Sequence, residues 1–399
     1  MKNIVWIAIS SGMLMQPVLA DDLFFEATGK ISTEVTIYAD DGQFENQDYR
    51  TNLSLSAEPE FYWAWNDQQD NLTFTPFFRK DQRDSERTHA DIRELSWSHF
   101  EDNWELRTGF RQVFWGVTEF QNIVDVINQK DTVEGLDKEH KLGQPMVNLS
   151  LVKDWGIVDF YVLPGFRERT SAGLDGRLRA GLVVDDDATT YEASNNDRHI
   201  DLAARWGHSF DVYDIGAHWY KGTDRTPQFN AISYNGKNVF SAHYQQIEQV
   251  GLDVQATIDS WLWKGELIYQ DNPVEDFWAS QLGVEYTFYG IQNSATDLGV
   301  LIEYGTDQRG KQANSIMQND VGVGARFDLN DTQSTSVLAG LIYDFDFYTT
   351  SFSVKGDRRI GEDWKASIEA RVFATGNSND PAAIFAKDDH IKLTFDRYF

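Results

Sequence analysis

The sequence predicts an all-β fold, a transmembrane antiparallel up-and-down β-barrel of about eighteen strands, with sixteen as the alternative count. Three observations predict it. Segments of about 9 to 13 residues alternate apolar and polar side chains, the length a tilted strand needs to cross a bilayer. Their connections alternate short and long, as short periplasmic turns and long extracellular loops do. The chain closes on "HIKLTFDRYF", a strand pattern that runs to its final aromatic ring.

The first twenty residues stand apart. "MKNIVWIAISSGMLMQPVLA" sets a lysine before an apolar run from Ile4 to Met15, then Pro17 and the small-residue pattern Val18-Leu19-Ala20. That order is a secretory signal peptide, so residues 1–20 are expected to be removed and 21–399 to form one barrel domain. Without the leader, 34 basic residues face 63 acidic ones, a net charge of −29. No nucleic acid is expected to bind such a chain through a basic face. Aromatic residues make up 14% of the sequence, too much ring surface for a disordered acidic polymer. There is no cysteine, which removes thiol chemistry and disulfides together. No other segment has the roughly 18 consecutive apolar residues of a membrane helix.

Strands follow almost without interruption. "RTNLSLSAEPEFYWAW" sets Leu53, Leu55, Ala57, Phe61, Trp63 and Trp65 against Asn52, Ser54, Ser56, Glu58 and Glu60. "NWELRTGFR", "QLGVEYTFY" and "WKASIEARV" repeat the pattern. The polar face is too charged to be a dry core, so the apolar face is read as outward, toward hydrocarbon. A soluble β-sandwich also alternates, but its strands stop nearer six residues. Trp104, Trp261, Trp263, Tyr286, Phe288 and Trp364 cluster at segment ends, where an interfacial girdle places aromatics.

Short connections are read at 66–71, 101–103, 153–156, 207–211, 259–260, 290–297, 330–333 and 361–363, nearly all carrying Asn, Asp or Gly. The long ones are 39–50, 112–144, 167–198, 222–242, 306–318 and 375–389. A closed barrel must pair its last strand with its first, expected near 29–39, because an open edge would expose backbone groups to lipid. The terminal Phe399 and Phe395 resemble the signal by which the barrel-assembly machinery of bacterial outer membranes recognises its clients. Arg397 departs from the usual apolar or tyrosine residue at that position.

The inward faces carry both signs of charge: Glu105, Arg107, Arg111, Arg205, Asp253, Lys264, Glu266, Glu285, Arg326, Glu369 and Arg371. An outward Arg at midplane would cost roughly 2 to 4 kcal/mol, so the two faces cannot be exchanged. Eighteen strands leave room for water, and these residues are expected to line it. Residues 112–144 form a loop with Ile123, Val124, Val126 and Ile127 as apolar anchors. So long a loop needs shelter, and the inner wall is the only shelter. It is expected to fold inward, with Gln121, Asp125, Asn128, Lys130 and Asp131 at a constriction. Asp125, Asp131, Glu134 and Asp137 are expected to face the pathway, balanced by Lys130, Lys138 and Lys141.

"RELSWSHFEDNWELRTGFRQVFWGVTEFQNIVDVINQKD" also resembles a segment of a large, mostly uncharacterised family of proteobacterial outer-membrane barrels. There a strand ending in Gly-x-Gln or Gly-x-x-Gln leads to Trp-Gly and then Asp-x-x-Asn-Pro-x-Asp. Here the positions are Gly109, Gln112, Trp115, Gly116, Asp125, Asn128 and Asp131, with Gln129 where the family usually has proline. The match covers about 40 residues. The resemblance implies an outer-membrane barrel of porin type and leaves the substrate open. General porins narrow their channel with the third long loop, and residues 112–144 are the third here too.

The expected function is passive diffusion of small hydrophilic solutes through the outer membrane. The alternatives are a substrate-specific channel for sugar acids or acidic polysaccharide, and a non-transporting scaffold or adhesin. Expected partners are outer-membrane lipid, lipopolysaccharide, the assembly machinery and the solutes; the protein is expected as monomer or trimer. No enzyme is expected: His89, His99, His199, His208, His218 and His243 are scattered and no local nucleophile motif accompanies them. A gated receptor would need a plug of over a hundred residues before the first strand, and "DDLFFEA" is also too short for an apolar hatch. No cofactor or metal is expected, since Asp185, Asp186 and Asp187 lack the spaced ligands and glycine of a calcium loop.

Overall fold

The computed structural model describes residues 23–399 apart from 314 and 378; the expected signal peptide lies outside the described residues. Eighteen antiparallel strands of 8 to 15 residues follow one another around a closed sheet. Closure joins Phe24–Tyr38 to His390–Tyr398 in register from Lys30 opposite Tyr398 to Tyr38 opposite His390. At the seam, Gly29 and Phe399 exchange backbone hydrogen bonds of 3.1 Å in both directions. The patterned strand therefore persists to Phe399 because its backbone groups have partners there. Arg397 pairs with Asp363 at 3.1 Å and lies over the Trp364 ring, so its charge is neutralised beside the aromatic belt.

Two-residue alternation dictates the faces. Leu53, Leu55 and Leu282 point outward, with Leu55 52% exposed, while Ser54, Ser56 and Gln281 point inward and are buried. The girdle forms at the short-turn end: Trp261 packs against Trp263 and Tyr286, and Tyr286 against Phe288, with centroids 4.6 to 6.0 Å apart.

The short and long connections alternate as the sequence predicts, and residues 112–143 are the third on the long side. Two boundaries move by four residues or more. The first strand begins at Phe24, five residues early, because Phe25 packs on Trp63. The turn expected at 207–211 lies after Phe210, since His208 and Phe210 extend the girdle at 4.2 Å. The connection expected as plain loop at 222–242 runs over 224–245 and contains a hairpin of Gln228–Tyr234 and Lys237–Tyr244. Thr190–Tyr191 of the preceding long loop joins it in parallel, making a small separate sheet.

Candidate functional site in the barrel lumen

The third long loop, residues 112–143, lies against the inner wall. It contains no helix; its apolar residues instead enter a core made with wall side chains. Val124 and Ile127 are fully buried among Met146, Tyr161, Leu163, Tyr220, Ile268 and Phe277, and Trp115 meets Tyr161 edge-on at 5.8 Å.

Polar groups fix the loop's position. Glu266, from the strand Trp261–Asp271, accepts hydrogen bonds from the backbone N–H of Val117 (2.7 Å), Thr118 (3.1 Å), Ile123 (2.7 Å) and Val124 (3.3 Å), and from the Thr118 hydroxyl at 2.8 Å. One wall carboxylate thus satisfies donors that an irregular buried backbone would otherwise leave unpaired. Glu303 accepts from the N–H groups of Glu119 and Phe120 at 2.7 and 3.0 Å, and Arg326 donates to Glu119 at 2.7 Å. Phe120 lies where side chains on Gly322 and Gly340 would be; a Cβ at either would come within 2.7 Å of its ring. Gly116 has φ +107° and any Cβ there would sit 2.6 Å from a Glu266 oxygen, so only glycine brings the backbone onto that carboxylate.

The segment 131–140 is a closed excursion, held at its neck by Asp131 N–H to the His140 carbonyl and Leu142 N–H to the Gln129 carbonyl. It carries Glu134 to Arg79 (2.7 Å) and Asp137 to Lys355 (2.8 Å) and Arg371 (3.5 Å). Burial works against the Asp137 charge, but His140, Lys355 and Arg371 together hold its carboxyl well below the usual carboxylate range. A depressed carboxyl contributes stability that is complete above its unfolded value, about 3.9, and is lost only as pH falls toward the folded one. The change in conductance caused by Asp137→Asn is therefore expected to be the same at pH 5 and pH 8. Conductance of both forms at the two pH values checks this, and a difference that vanishes at pH 5 would refute it.

The residues expected at the constriction divide. Gln121 reaches Ser315 at 2.9 Å, and Lys130 lines open space. Asp125 lines the same space with one oxygen bound by Lys141. Asn128 lines the same space although its amide is bonded within the loop, and Asp131 does not face it. The Asn128 amide accepts from Val113 N–H and donates to the carbonyls of Arg111 and Leu142, and Asp131, fully buried, takes Arg93 at 2.5 Å and the Thr170 hydroxyl at 2.7 Å. Glu134, likewise expected to face the pathway, is buried against Arg79. A carboxylate inside a packed loop needs a cation or donors beside it, so these acids turn to the wall. His89, Asp131 and Glu134 bring ligand atoms within 4.8 Å, but Arg93 and Arg79 already neutralise the two carboxylates.

Every residue expected to line the lumen points inward, and most are paired. Arg205 makes two bonds to Asp253 (2.7 and 2.8 Å) with its guanidinium over Trp115. Glu285 lies 3.8 Å from Lys264 and 3.5 Å from Arg326. Glu369 holds Arg371, and takes Lys392 at 2.7 Å. Glu105 pairs with Arg107, and Arg111 donates to Asn148 at 3.3 Å. Glu266 serves the loop alone.

A second loop shares this space, which the sequence does not predict. Residues 165–181 touch the third loop through Thr170 and Asp131, the Asp84 carboxylate through Gly173 N–H, and the closure seam through Arg177. Between the third loop and the loops 224–245, 272–275 and 308–318 lies a cavity of about 440 Å³. A smaller one of about 70 Å³ lies against the seam strands, lined by Glu34, Arg87 and Glu369 among others.

No family model matches the sequence, and no curated protein matches it. Among solved structures, a loop-deletion mutant of OmpT, an outer membrane protein of Vibrio cholerae, is similar at 11% identity over 95% of this chain and all of that one, with a TM-score of 0.48. A mutant of Rh. blastica porin is similar at 11% identity over 94% of this chain and all of that one, with a TM-score of 0.46.

Proposed function

We propose that this protein is an outer-membrane channel for passive diffusion of small hydrophilic solutes, and that residues 112–143 narrow it. The observation that supports this reading best is the attachment of that loop to Glu266 inside the barrel. A loop fastened to the wall takes up cross-section while the charged wall around it stays hydrated. The apolar outer face and aromatic girdle suit a bilayer, with lipid and lipopolysaccharide as the surroundings. Phe395 and Phe399, on the outer face of the seam strand, are the groups we assign to recognition by the assembly machinery. Catalysis is no part of the proposal. His199 has Asp201 as partner at 2.8 Å, but that carboxylate also takes Arg225, Tyr220 and Thr223 and so serves as an anchor.

Single-channel recording in a planar bilayer tests the reading. The full chain is expected to give discrete steps, and deletion of 121–131 is expected to raise their conductance about twofold or more. Absence of steps from folded, heat-modifiable protein would overturn the channel reading in favour of a scaffold. Steps unchanged by the deletion would overturn the narrowing.

A further inference from the structure

We propose that the 440 Å³ cavity beside the third loop is a binding subsite for a small sugar acid, a polyhydroxylated solute bearing one carboxylate. The proposal deepens the channel reading and rests on it for the route by which the solute arrives. The volume falls within the roughly 300 to 1,000 Å³ of small-molecule sites.

Charge pairing singles out two cations. Arg309 on this wall has Asp307, Arg225 has Asp201, and the lining Asp125 has Lys141. Lys130 and Arg169 also line the cavity, and among the described residues neither makes an ion pair. Arg169 donates only to neutral oxygens, the Arg225 carbonyl at 2.7 Å and the Gln129 amide at 3.5 Å. Loss of bulk water within the lumen, and then the Arg169 charge, push the Lys130 ammonium down to about 8. Asp125 near Lys130 and Asp224 near Arg169 act on the two cations from a distance without forming an ion pair, so among the described residues both keep donors for an anion. Two carboxylates on the wall could supply one. Glu275 belongs to the exposed loop 272–275, and burial pushes the Asp224 carboxyl up while it accepts from Thr226 N–H. Neither pairs with Lys130 or Arg169.

The rest of the lining suits hydroxyl groups. Gln121, Gln228 and Gln249 bond Ser315, Gln245 and His218 and each retain a further N–H for a hydroxyl, Gln270 lines the cavity beside them, and Phe229 and Phe277 offer apolar surface for the C–H face of a ring. A bare inorganic anion would satisfy the cations and leave the amides unused; a hydroxylated carboxylate can meet both.

The test is calorimetric titration of the full chain in detergent micelles with D-galacturonate, D-galactose and inorganic phosphate, beside current block by the same probes in a bilayer. Galacturonate is expected to bind at least tenfold more tightly than either of the others. Lys130→Gln and Arg169→Gln are each expected to weaken it about tenfold, Lys130→Arg to retain it, and Arg50→Gln, in an exposed pair with Asp41, to change nothing. Equal binding of galactose, equal binding of phosphate, no binding, or indifference to both glutamine variants in folded protein would each overturn the subsite. The two readings separate cleanly. Binding without conductance steps keeps the subsite and overturns the channel, whereas steps that galacturonate neither blocks nor binds keep the channel and overturn the subsite.

Discussion

Glu266→Ala is expected to raise single-channel conductance several-fold while the barrel still closes. The carboxylate accepts from four backbone N–H groups and one hydroxyl of residues 117–124. Alanine leaves those four amides without a partner in a packed space, at about 1 to 3 kcal/mol for each that water cannot reach. Even if water rescues half of them, the remaining cost is comparable with burial of one large apolar side chain, about 1.5 to 3 kcal/mol. The stretch 117–124 therefore loosens, retaining Glu303 and Arg326 at Glu119 and Phe120 and the apolar contacts of Val124. Residues 131–140 stay, because Arg93, Arg79 and Lys355 hold them independently. Glu266→Gln keeps an acceptor for one pair of amides and turns an NH₂ toward the other pair, so its conductance should fall between wild type and alanine. Folded Glu266→Ala with wild-type conductance would refute the role of this latch.

Arg177→Met is expected to have its effect on the loops over the closure seam. Arg177, 1% exposed at its side chain, donates to Asp388 at 2.5 Å, to the Tyr49 carbonyl at 2.9 Å, to the Asp40 carbonyl at 3.2 Å and to the Lys387 carbonyl, with its guanidinium 4.0 Å above the Tyr38 ring. One side chain thereby joins the loops after the first strand, before the last strand, and from 165–199. Removing it strands the buried Asp388 carboxylate, and breaking one side of a buried ion pair costs about 3 to 5 kcal/mol. Rapid protease cleavage within 165–199, with the barrel core resistant, is the expected result. Lysine should not rescue, because its single ammonium cannot reproduce the planar fork that meets these acceptors. Unaltered protection in the methionine variant would refute the assignment.

How much of this was legible beforehand differs by feature. The motif around Trp115 was visible, and its residues have structural reasons: Gly116 makes room for Glu266, Asn128 closes the loop neck, and Asp131 binds Arg93. Gln129, in the place of proline, is buried and accepts from Lys130 N–H. The inward direction of Glu266 was legible, and its purpose was not. Arg169 and Arg177 lie in a loop without a strand period, so no local pattern marks their direction.

By itself the sequence determined the barrel, a strand number of eighteen or sixteen, the outward and inward faces, and the need of residues 112–144 for apolar shelter. Those features are local: two-residue alternation, turn residues and segment length are written within ten or fifteen neighbouring positions. Only the tertiary structure decided that Asn128 and Asp131 turn to the loop and wall, that 165–181 also fills the lumen, and that Lys130 and Arg169 share a cavity. Glu266 lies 148 positions from Thr118, and Arg177 lies 211 from Asp388. Contacts at that separation have no period, so a chain shows them only once the closed sheet has brought its distant strands around one lumen.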